Sequence, residues 1–430
     1  MRGEHMIRLH NARIMPMSSD CSVFEGELWT DGGKISYVGP AVKEGLPQFE
    51  REIDLGGDLV IPGFKNAHAH SAMTFLRSFA DDLPLQSWLF DKVFPLEARL
   101  TPEAVYAFTR LAILEYISGG ITASFDMYFH RDAYAQANID SGFRTVICGA
   151  LSAGDKISIA ADDYKKYNAM GELIGYLPGV HAEYTADEAL LRGMSELVHE
   201  LKSPFWTHNS ETKSEVDGCI ERHGTTPTKY LDSLGLFDYG GGGYHCVWFD
   251  ESDMDIFAKR GLWAVTCPAS NAKLASGTAP LGHFARRGVK LAVGTDGPAS
   301  NNALDMFREM YLACVLQKLA LSDAAACPAE NILMAACSGG AKAMGLENCD
   351  SLAVGKAADL AVINLHRPNM RPIHDLAKNL VYAGTRDNVR LTMIAGRILY
   401  ENGEFFVGDD PEHIYAEAER CTKELIGNDA

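Results

Sequence analysis

The stretch LVIPGFKNAHAH at residues 59–70 joins an apolar run to two histidines. Residues two positions apart on a β-strand point to the same side of the sheet. If the run belongs to a barrel strand, His68 and His70 both face the lumen, where two imidazoles can hold one metal ion. A pair of histidines in a surface loop would show the same spacing, so the interpretation depends on how the other strands end.

Seven further apolar, β-branched or aromatic runs follow, most of them separated by segments of helix length. Between them, residues 102–118, 186–202 and 252–260 have apolar residues at helical spacing. Eight strands that alternate with helices close most simply into a barrel, so we predict an α/β fold with a distorted (β/α)8 barrel of the TIM type. The predicted strands are residues 59–64, 121–128, 144–150, 179–184, 204–208, 243–249, 262–267 and 289–294.

The two ends of the chain predict a second, smaller unit. Strand-like pieces at residues 6–14, 34–38, 358–363 and 391–400 are separated by Gly-Gly, Ala-Gly and Asn-Gly turns. We expect both ends to form one small β-sandwich domain, with residues 1–60 and 353–430 flanking a barrel of residues 61–352. Residues 411–426 predict a terminal helix that packs on the surface. We expect residues 1–5 to be an artificial extension, with Met6 as the natural start.

Composition excludes several classes of partner. The chain has 47% apolar and 22% charged residues and a formal net charge of −18, which disfavours binding to nucleic acid or to anionic membranes. Its ten cysteines include no CxxC pair, as is typical of reduced thiols in a cytoplasmic protein. No apolar stretch approaches the roughly 20 residues of a membrane span, and the start of the chain lacks the apolar core of a signal peptide.

Other predicted strands also end in residues that can bind metal or transfer protons. The fifth run leads into His208 and Glu211, the sixth contains His245, and the eighth ends at Asp296 in a Gly-Thr-Asp-Gly turn. Each alone has a structural explanation, as a hydrogen-bonded core histidine or a turn aspartate. Together they predict a site at the carboxyl ends of the barrel strands.

Competing catalytic motifs are incomplete or missing. His181-Ala182-Glu183 matches half of the zinc motif of the small cytidine-type deaminases, but the chain has no PCxxC partner for it. There is no HExxH and no GxSxG, and no strand is followed by GxGxxG. The glycines at 240–243 precede a strand and lack a following Lys-Ser/Thr, so an ordinary loop explains them.

Taken together, these residues resemble the amidohydrolase superfamily, and within it the methylthioadenosine/S-adenosylhomocysteine deaminase branch. The resemblance covers nearly the whole chain. The stretches that carry it are VIPGF at 60–64, HAHSAMTFLR at 68–77, WL at 88–89, PLE at 95–97, DMY at 126–128, PASN at 268–271, GTDGPASNN at 294–302 and ADL at 358–360.

The resemblance implies a metal centre with a proton shuttle. One divalent ion, Zn²⁺ or alternatively Fe²⁺ or Mn²⁺, would be bound by a set of three histidines and one aspartate. Glu211 would move protons in both directions, His245 would stabilise the attacking hydroxide, and Asp296 would accept a proton as well as bind the ion. The fourth strand offers His181 and no lysine that could be carboxylated, which favours a single ion. The implied ligands are His68, His70, His208 and Asp296.

The same resemblance implies the substrate contacts. Glu97 would accept hydrogen bonds from ribose hydroxyls, His181 would reach a ring nitrogen, and Trp88 would line the pocket for the ribose or the thioether. A surface glutamate, a core histidine and a core tryptophan are the structural alternatives. Cys148 stands at a position where relatives that use S-adenosylhomocysteine have an arginine for its carboxylate. Because of this difference, the resemblance alone does not assign S-adenosylhomocysteine as the substrate.

We therefore expect a metal-dependent aminohydrolase that deaminates a purine nucleoside, namely methylthioadenosine or adenosine, with S-adenosylhomocysteine as a further candidate. Two alternatives stay open: an enzyme for another aminated heterocycle, such as guanine, a pterin, cytosine or a triazine, and a barrel without activity. The oligomeric state is open too, although relatives often form dimers or larger assemblies.

Overall fold

Two groups of strands form the β structure of the computed structural model, which describes residues 6–79, 81–83 and 87–427. The expected extension at residues 1–5 lies outside the described residues. In chain order the strands are β1 (Ile7–Ile14), β2 (Phe24–Asp31), β3 (Lys34–Gly39), β4 (Arg51–Asp54), β5 (Leu59–Pro62), β6 (Phe64–Ala69), β7 (Ile121–Asp126), β8 (Arg144–Cys148), β9 (Ile174–Leu177), β10 (Gly179–Ala182), β11 (Phe205–Asn209), β12 (Gly241–His245), β13 (Trp263–Thr266), β14 (Lys290–Val293), β15 (Leu360–Ile363), β16 (Val389–Ile394), β17 (Arg397–Glu401) and β18 (Glu404–Phe405).

Helices connect the barrel strands and cover their outer side. The α-helices are Phe94–Glu97, Pro102–Ser118, Arg131–Ser141, Ile157–Tyr167, Glu188–Leu201, Lys213–His223, Pro227–Ser233, Glu251–Arg260, Pro268–Lys273, Leu281–Arg287, Pro298–Asn301, Met306–Leu321, Ala329–Met334, Gly340–Ala343, Leu376–Tyr382 and Pro411–Ile426. Shorter 3₁₀ or π segments are Ser71–Leu76, Trp88–Val93, Glu183–Thr185, Ala335–Gly339, Glu347–Cys349, Pro368–Met370 and Arg386–Asn388. Across the described ranges, no helix combines the length and the apolar character that crossing a bilayer requires.

The strands of both chain ends form one nine-stranded sheet, as the turn patterns predict. Its order is β18-β17-β16-β15-β5-β1-β2-β3, with β4 paired to β1. The two ends meet where β15 runs antiparallel to β5, with Leu360 opposite Pro62 and Ile363 opposite Leu59. Leu9, Leu28 and Val362 are fully buried in a separate apolar cluster of this unit.

The barrel consists of two parallel sheets, β6-β7-β8-β9 and β10-β11-β12-β13-β14. Single parallel bridges between Ala69 and Asp296 and between Leu151 and Val180 join the sheets at their edges. Strands β9 and β10 are separated only by Pro178, so they act as one interrupted fourth strand, β9 pairing with β8 and β10 with β11. The predicted distorted eight-stranded barrel is thus confirmed.

The first barrel strand begins later than the sequence predicts. Residues 59–62 belong to the small sheet, and the barrel strand β6 covers Phe64–Ala69. Gly63 lies at the crossing point, where a Cβ atom would come within 2.1 Å of the Thr122 side chain. The whole stretch is buried, so its apolar pattern is continuous and does not reveal the change of sheet.

Candidate metal centre and substrate cavity

Four barrel strands bring the predicted ligands and His245 to one end of the barrel. His68 is near the end of β6, with His70 directly after it, and His208 is on β11. Asp296 follows β14, and its backbone N–H donates to the carbonyl of His68 at 3.0 Å. His245 is the last residue of β12. Because these strands are parallel, their carboxyl ends form a single face.

Donor atoms of these side chains lie close enough to share one ion. The Nε2 atoms of His68 and His70 are 3.5 and 3.2 Å from Oδ1 of Asp296. Atoms that can bind a metal lie within 4.8 Å of one another in two overlapping groups. One group is His68, His70 and His208, and the other is His68, His245 and Asp296.

Hydrogen bonds on the far side of three rings fix their orientation. Nδ1 of His70 lies 2.6 Å from the carbonyl oxygen of Met127, and Nδ1 of His208 lies 2.7 Å from that of His181. A carbonyl can only accept, so Nδ1–H donates and Nε2 is the nitrogen that faces the centre. Nδ1 of His245 is 2.7 Å from Oδ1 of Asn271 and is held in the same way.

His68 provides a direct test of whether the cluster fits a cation. Its ring is fully buried and stacks on Tyr244 with 3.9 Å between ring centroids. Neither ring nitrogen of His68 has a hydrogen-bond partner among the described residues. A buried polar atom without a partner is costly. A metal ion bound at Nε2 would remove this cost for that nitrogen, so the residues present fit such a group.

The electrostatics of the cluster also suit a cation. Burial lowers the pKa of His68 to about 3, which keeps this ring neutral. Burial opposes the protonation of His70, but the hydrogen bond and the charge of Asp296 together raise the pKa of His70 to about 9. Although burial opposes its ionisation, the two histidines hold the pKa of Asp296 well below its usual range. An ion that binds here would replace the proton shared by His70 and Asp296.

Glu211 lies next to the cluster, just beyond β11. Its Oε1 atom accepts a hydrogen bond from the Ser276 hydroxyl at 3.2 Å, and its Oε2 atom is 3.9 Å from Nε2 of His245. The buried carboxylate of Glu215 accepts from the backbone N–H groups of Ser210 and Glu211, each at 2.8 Å. These contacts fix the loop that presents Glu211.

A cavity of about 320 Å³ opens onto these side chains. His70, His208, Glu211, His245 and Asp296 form one end of it, and His68 lies behind them. No lysine or arginine is present among the described residues that line this cavity. The other walls are largely apolar and include Met73, Trp88, Leu89, Val93, Phe94, Met127, Phe129, Tyr184 and Leu274.

Three of the four predicted substrate contacts line this cavity, namely Glu97, His181 and Trp88. Oε1 of Glu97 accepts a hydrogen bond from the Tyr128 hydroxyl at 2.8 Å, and burial raises the pKa of Glu97 to about 7. Burial lowers the pKa of His181 to about 4, so this ring is neutral near pH 7. Its Nδ1 atom lies 3.2 Å from the Thr185 hydroxyl.

The predicted contact through Cys148 needs correction. Cys148 is fully buried and is not among the described residues that line the cavity. Its side chain belongs to the apolar interior of the barrel together with Trp206 and Tyr244. Ala150 and Ser152, two and four residues further along, line the cavity instead. Cys148 is the last residue of β8, and Ala150 and Ser152 lie in the segment beyond the end of that strand, which explains the difference.

Several polar side chains at the site are not predicted from the sequence. Ser270 and Ser300 both donate to Oδ2 of Asp296, at 2.6 and 2.7 Å. Ser276 and Glu215 support Glu211, and Tyr128 supports Glu97. Two of the motifs that carry the family resemblance contain Ser270 and Ser300, but serine spacing has no signature that would reveal these contacts.

Comparisons with known proteins agree with this geometry. The model of the amidohydrolase family matches residues 59–399. A 5-methylthioadenosine/S-adenosylhomocysteine deaminase from Pelotomaculum thermopropionicum is 37% identical over 432 aligned residues, covering 98% of this chain and 99% of the relative. A 5'-deoxyadenosine deaminase from Methanothermobacter thermautotrophicus is 36% identical over 410 residues, covering 94% and 95%. The crystal structure of a zinc-bound adenosine deaminase from Xanthomonas campestris is 32% identical, with a TM-score of 0.92 over 98% of both chains.

Proposed function

The chain belongs to the amidohydrolase family, and we propose on that premise that it removes the amino group of adenosine-type nucleosides by hydrolysis. The observation that carries the proposal is the arrangement at one end of the cavity. Three histidines and an aspartate that fit one cation lie beside Glu211 and His245, and Glu97 lies in the same cavity.

His68, His70, His208 and Asp296 would hold a single divalent ion, and we propose zinc. Imidazole and carboxylate ligands suit zinc, and the described fourth-strand residues include no lysine that could bridge a second ion. The zinc in the adenosine deaminase from Xanthomonas campestris supports this choice. A divalent ion held there supplies Lewis acidity that makes water nucleophilic at neutral pH.

Glu211 is proposed to move the protons. It accepts a proton from the attacking water and gives it to the ring nitrogen next to the reacting carbon. Asp296 then accepts the proton of the new hydroxyl group and the amino group takes it up, so that the C–N bond breaks, ammonia leaves and the C=O bond forms. His245, 3.9 Å from Glu211, stabilises the charge that develops on the attacking oxygen. The second oxygen of Glu211 is held by Ser276, so the carboxylate keeps its orientation during both transfers.

The cavity walls support a nucleoside with an uncharged 5' substituent. Glu97 offers a carboxylate to ribose hydroxyls, and the neutral ring of His181 can contact a ring nitrogen. The apolar walls around Trp88 and Phe94 suit a purine and a thioether. No lysine or arginine is present among the described residues that line the cavity, so methylthioadenosine and adenosine fit it better than a nucleoside with a carboxylate tail.

Ammonia release from a substrate panel tests the proposal. The protein is first analysed for metal content, which we expect to be one equivalent of a divalent ion per chain. Adenosine, methylthioadenosine, S-adenosylhomocysteine, guanine, cytosine and a pterin are then compared. We expect the nucleosides to react and the free bases to fail, and we expect the double variant His68→Ala/His70→Ala to lose both metal and activity. Two metal ions per active chain, activity in the double variant, or ammonia from a free base alone would contradict the proposal.

A further inference from the structure

Asp296 is held by a pair of serine hydroxyls on its outer side. Ser270 is the third residue of the short helix Pro268–Lys273, and Ser300 lies in the short helix Pro298–Asn301. Both hydroxyls donate to Oδ2 of Asp296, at 2.6 and 2.7 Å. The other oxygen, Oδ1, faces His68 and His70. The two serines thus decide which carboxylate oxygen points into the cluster.

A second buried carboxylate connects the two segments that carry these serines. Oε2 of Glu309 accepts from the backbone N–H of Ala269 at 3.0 Å. Oε1 of Glu309 accepts from Nδ2 of Asn301 at 2.7 Å. Ala269 directly precedes Ser270, and Asn301 directly follows Ser300. Nδ2 of Asn301 also donates to the carbonyl of Thr295 at 2.7 Å, which ties the assembly to the residue before Asp296.

Ion pairing does not explain why Glu309 is buried. The side chain is fully buried on helix Met306–Leu321. Both oxygens are used by neutral donors, and within the described ranges no cationic group lies within 4.0 Å of the carboxylate. Burying a carboxyl group without a cation is costly, so its position calls for a role in the site that it connects.

We propose that Glu309, Ser270 and Ser300 form a positioning assembly for Asp296. Glu309 holds the two serine-bearing segments at a fixed separation, and the serines keep Oδ2 occupied so that Oδ1 faces the cluster. This inference rests on the proposed metal role of Asp296. Ser270 and Glu309 are not among the described residues that line the cavity. Ser300 lines it, but its hydroxyl donates to Asp296, so we assign all three residues a role that acts through Asp296.

Glutamine at position 309 tests the first link of the assembly. An amide has one accepting oxygen, so its NH₂ group must face either Ala269 N–H or the Asn301 amide, and one hydrogen bond is lost. Loss of an outer partner of a metal ligand typically costs on the order of 10- to 100-fold in metal affinity. The serines are the direct partners and Glu309 acts through them, so we expect a loss at the lower end of this range, about tenfold, for Glu309→Gln in competition between the protein and a chromophoric chelator for Zn²⁺.

Two serine variants test the second link. Each removes a single hydroxyl group, so they keep the inference testable even if Glu309→Gln folds poorly. Ser270→Ala and Ser300→Ala should each weaken Zn²⁺ affinity, and each should change the visible absorption spectrum of the Co²⁺-substituted protein, because Asp296 is freed to rotate. Both should lower kcat more than they raise KM. Since Glu309 acts through the serines, adding Glu309→Gln to the Ser270→Ala/Ser300→Ala variant should cost less than the product of the separate effects.

Asp253→Asn is the matched control. Asp253 is also fully buried, and the substitution likewise replaces a carboxylate by an amide. Its carboxylate belongs to the N-terminal cap of helix Glu251–Arg260 in the outer layer of the barrel. We expect unchanged Zn²⁺ affinity and Co²⁺ spectrum for this variant. Wild-type Zn²⁺ affinity in both Glu309→Gln and the double serine variant would overturn the inference. Metal binding that depends on these residues in a protein without deaminase activity would instead contradict only the proposed function.

Discussion

Glu211 is the residue on which the proposed proton transfers depend. Glu211→Gln keeps the size of the side chain and can still contact Ser276, but the amide cannot accept and return a proton. We expect nearly normal KM and a loss in kcat greater than the ~10²-fold typical of a general acid or base. Steady-state kinetics with adenosine measure both values.

Glu221→Gln serves as the control for this experiment, because Glu221 is exposed on the helix that follows Glu211. It should have wild-type kinetics. A Glu211→Gln enzyme that kept a tenth of wild-type kcat would show that Glu211 has a structural role, and the proposed route for the protons would be wrong.

Glu97 predicts a pH dependence of nucleoside binding. Burial raises the pKa of Glu97 to about 7, so the carboxylate that accepts from ribose hydroxyls predominates only above that pH. Binding should therefore tighten as pH rises from 6 to 8, by about tenfold for a single group whose ionised fraction changes from a tenth to nine tenths. The inhibition constant of the product inosine measures this without interference from the chemical step.

The matched ligand is 2',3'-dideoxyinosine, which lacks the hydroxyls and should show little change over the same range. Glu97→Gln should bind inosine weakly at every pH tested. If inosine and its dideoxy analogue changed in parallel, or if the Gln variant kept the pH dependence, Glu97 would not be the ribose contact.

Between elements, one buried ion pair links the barrel to the small sheet. Arg144 at the start of β8 donates to both carboxylate oxygens of Asp359, at 2.6 and 3.1 Å. Oδ1 of Asp359 also accepts from the backbone N–H of Ala395 at 2.8 Å. Both side chains of the pair are at most 1% exposed, so removing one partner leaves a buried charge uncompensated.

We expect Arg144→Ala to lower the free energy of unfolding by about 3–5 kcal/mol. The exposed pair of Arg192 and Glu188, at 2.6 Å, provides the contrast, because Arg192→Ala should cost less than ~1 kcal/mol. Urea unfolding followed by circular dichroism compares the two. Similar losses would mean that the buried pair is not a specific link between the two units.

The same elements indicate what sequence patterns can and cannot predict. The strands were predictable because each is a short apolar run between turn residues or helices. His208 and Asp296 were predictable because each lies at or just after the end of such a run, and His245 because it lies within one. The boundary between β5 and β6 was not, since burial is continuous across Gly63. The inward direction of Cys148 and the contacts of Glu309 depend on tertiary packing, which spacing along the chain does not encode.

For the molecule as a whole, we expect its negative charge to favour methylthioadenosine over S-adenosylhomocysteine, which carries a carboxylate tail. The chain carries a formal net charge of −18, and the described cavity wall contains Glu97, Glu211 and Asp296 but no lysine or arginine. Arg131 and Lys166 line a neighbouring cavity, but each is already paired, Arg131 with Asp163 at 2.7 Å and Lys166 with Asp132. A carboxylate tail therefore meets a negative field and no free partner.

We expect methylthioadenosine to be deaminated with a higher kcat/KM than S-adenosylhomocysteine, chiefly through KM, because a missing bidentate contact forfeits ~1.5–3 kcal/mol, or on the order of 10- to 100-fold. Cys148→Arg would not restore the contact, since that side chain points into the barrel interior. Ser152 lines the cavity, so Ser152→Arg should reduce the difference in kcat/KM between the two nucleosides, whereas the neutral Ser152→Gln should leave it unchanged.

Equal efficiency of the wild-type protein on both nucleosides would mean that Arg131 or Lys166 leaves its aspartate to bind the tail. Loss of the preference in Arg131→Gln or Lys166→Gln would then identify which cation is responsible.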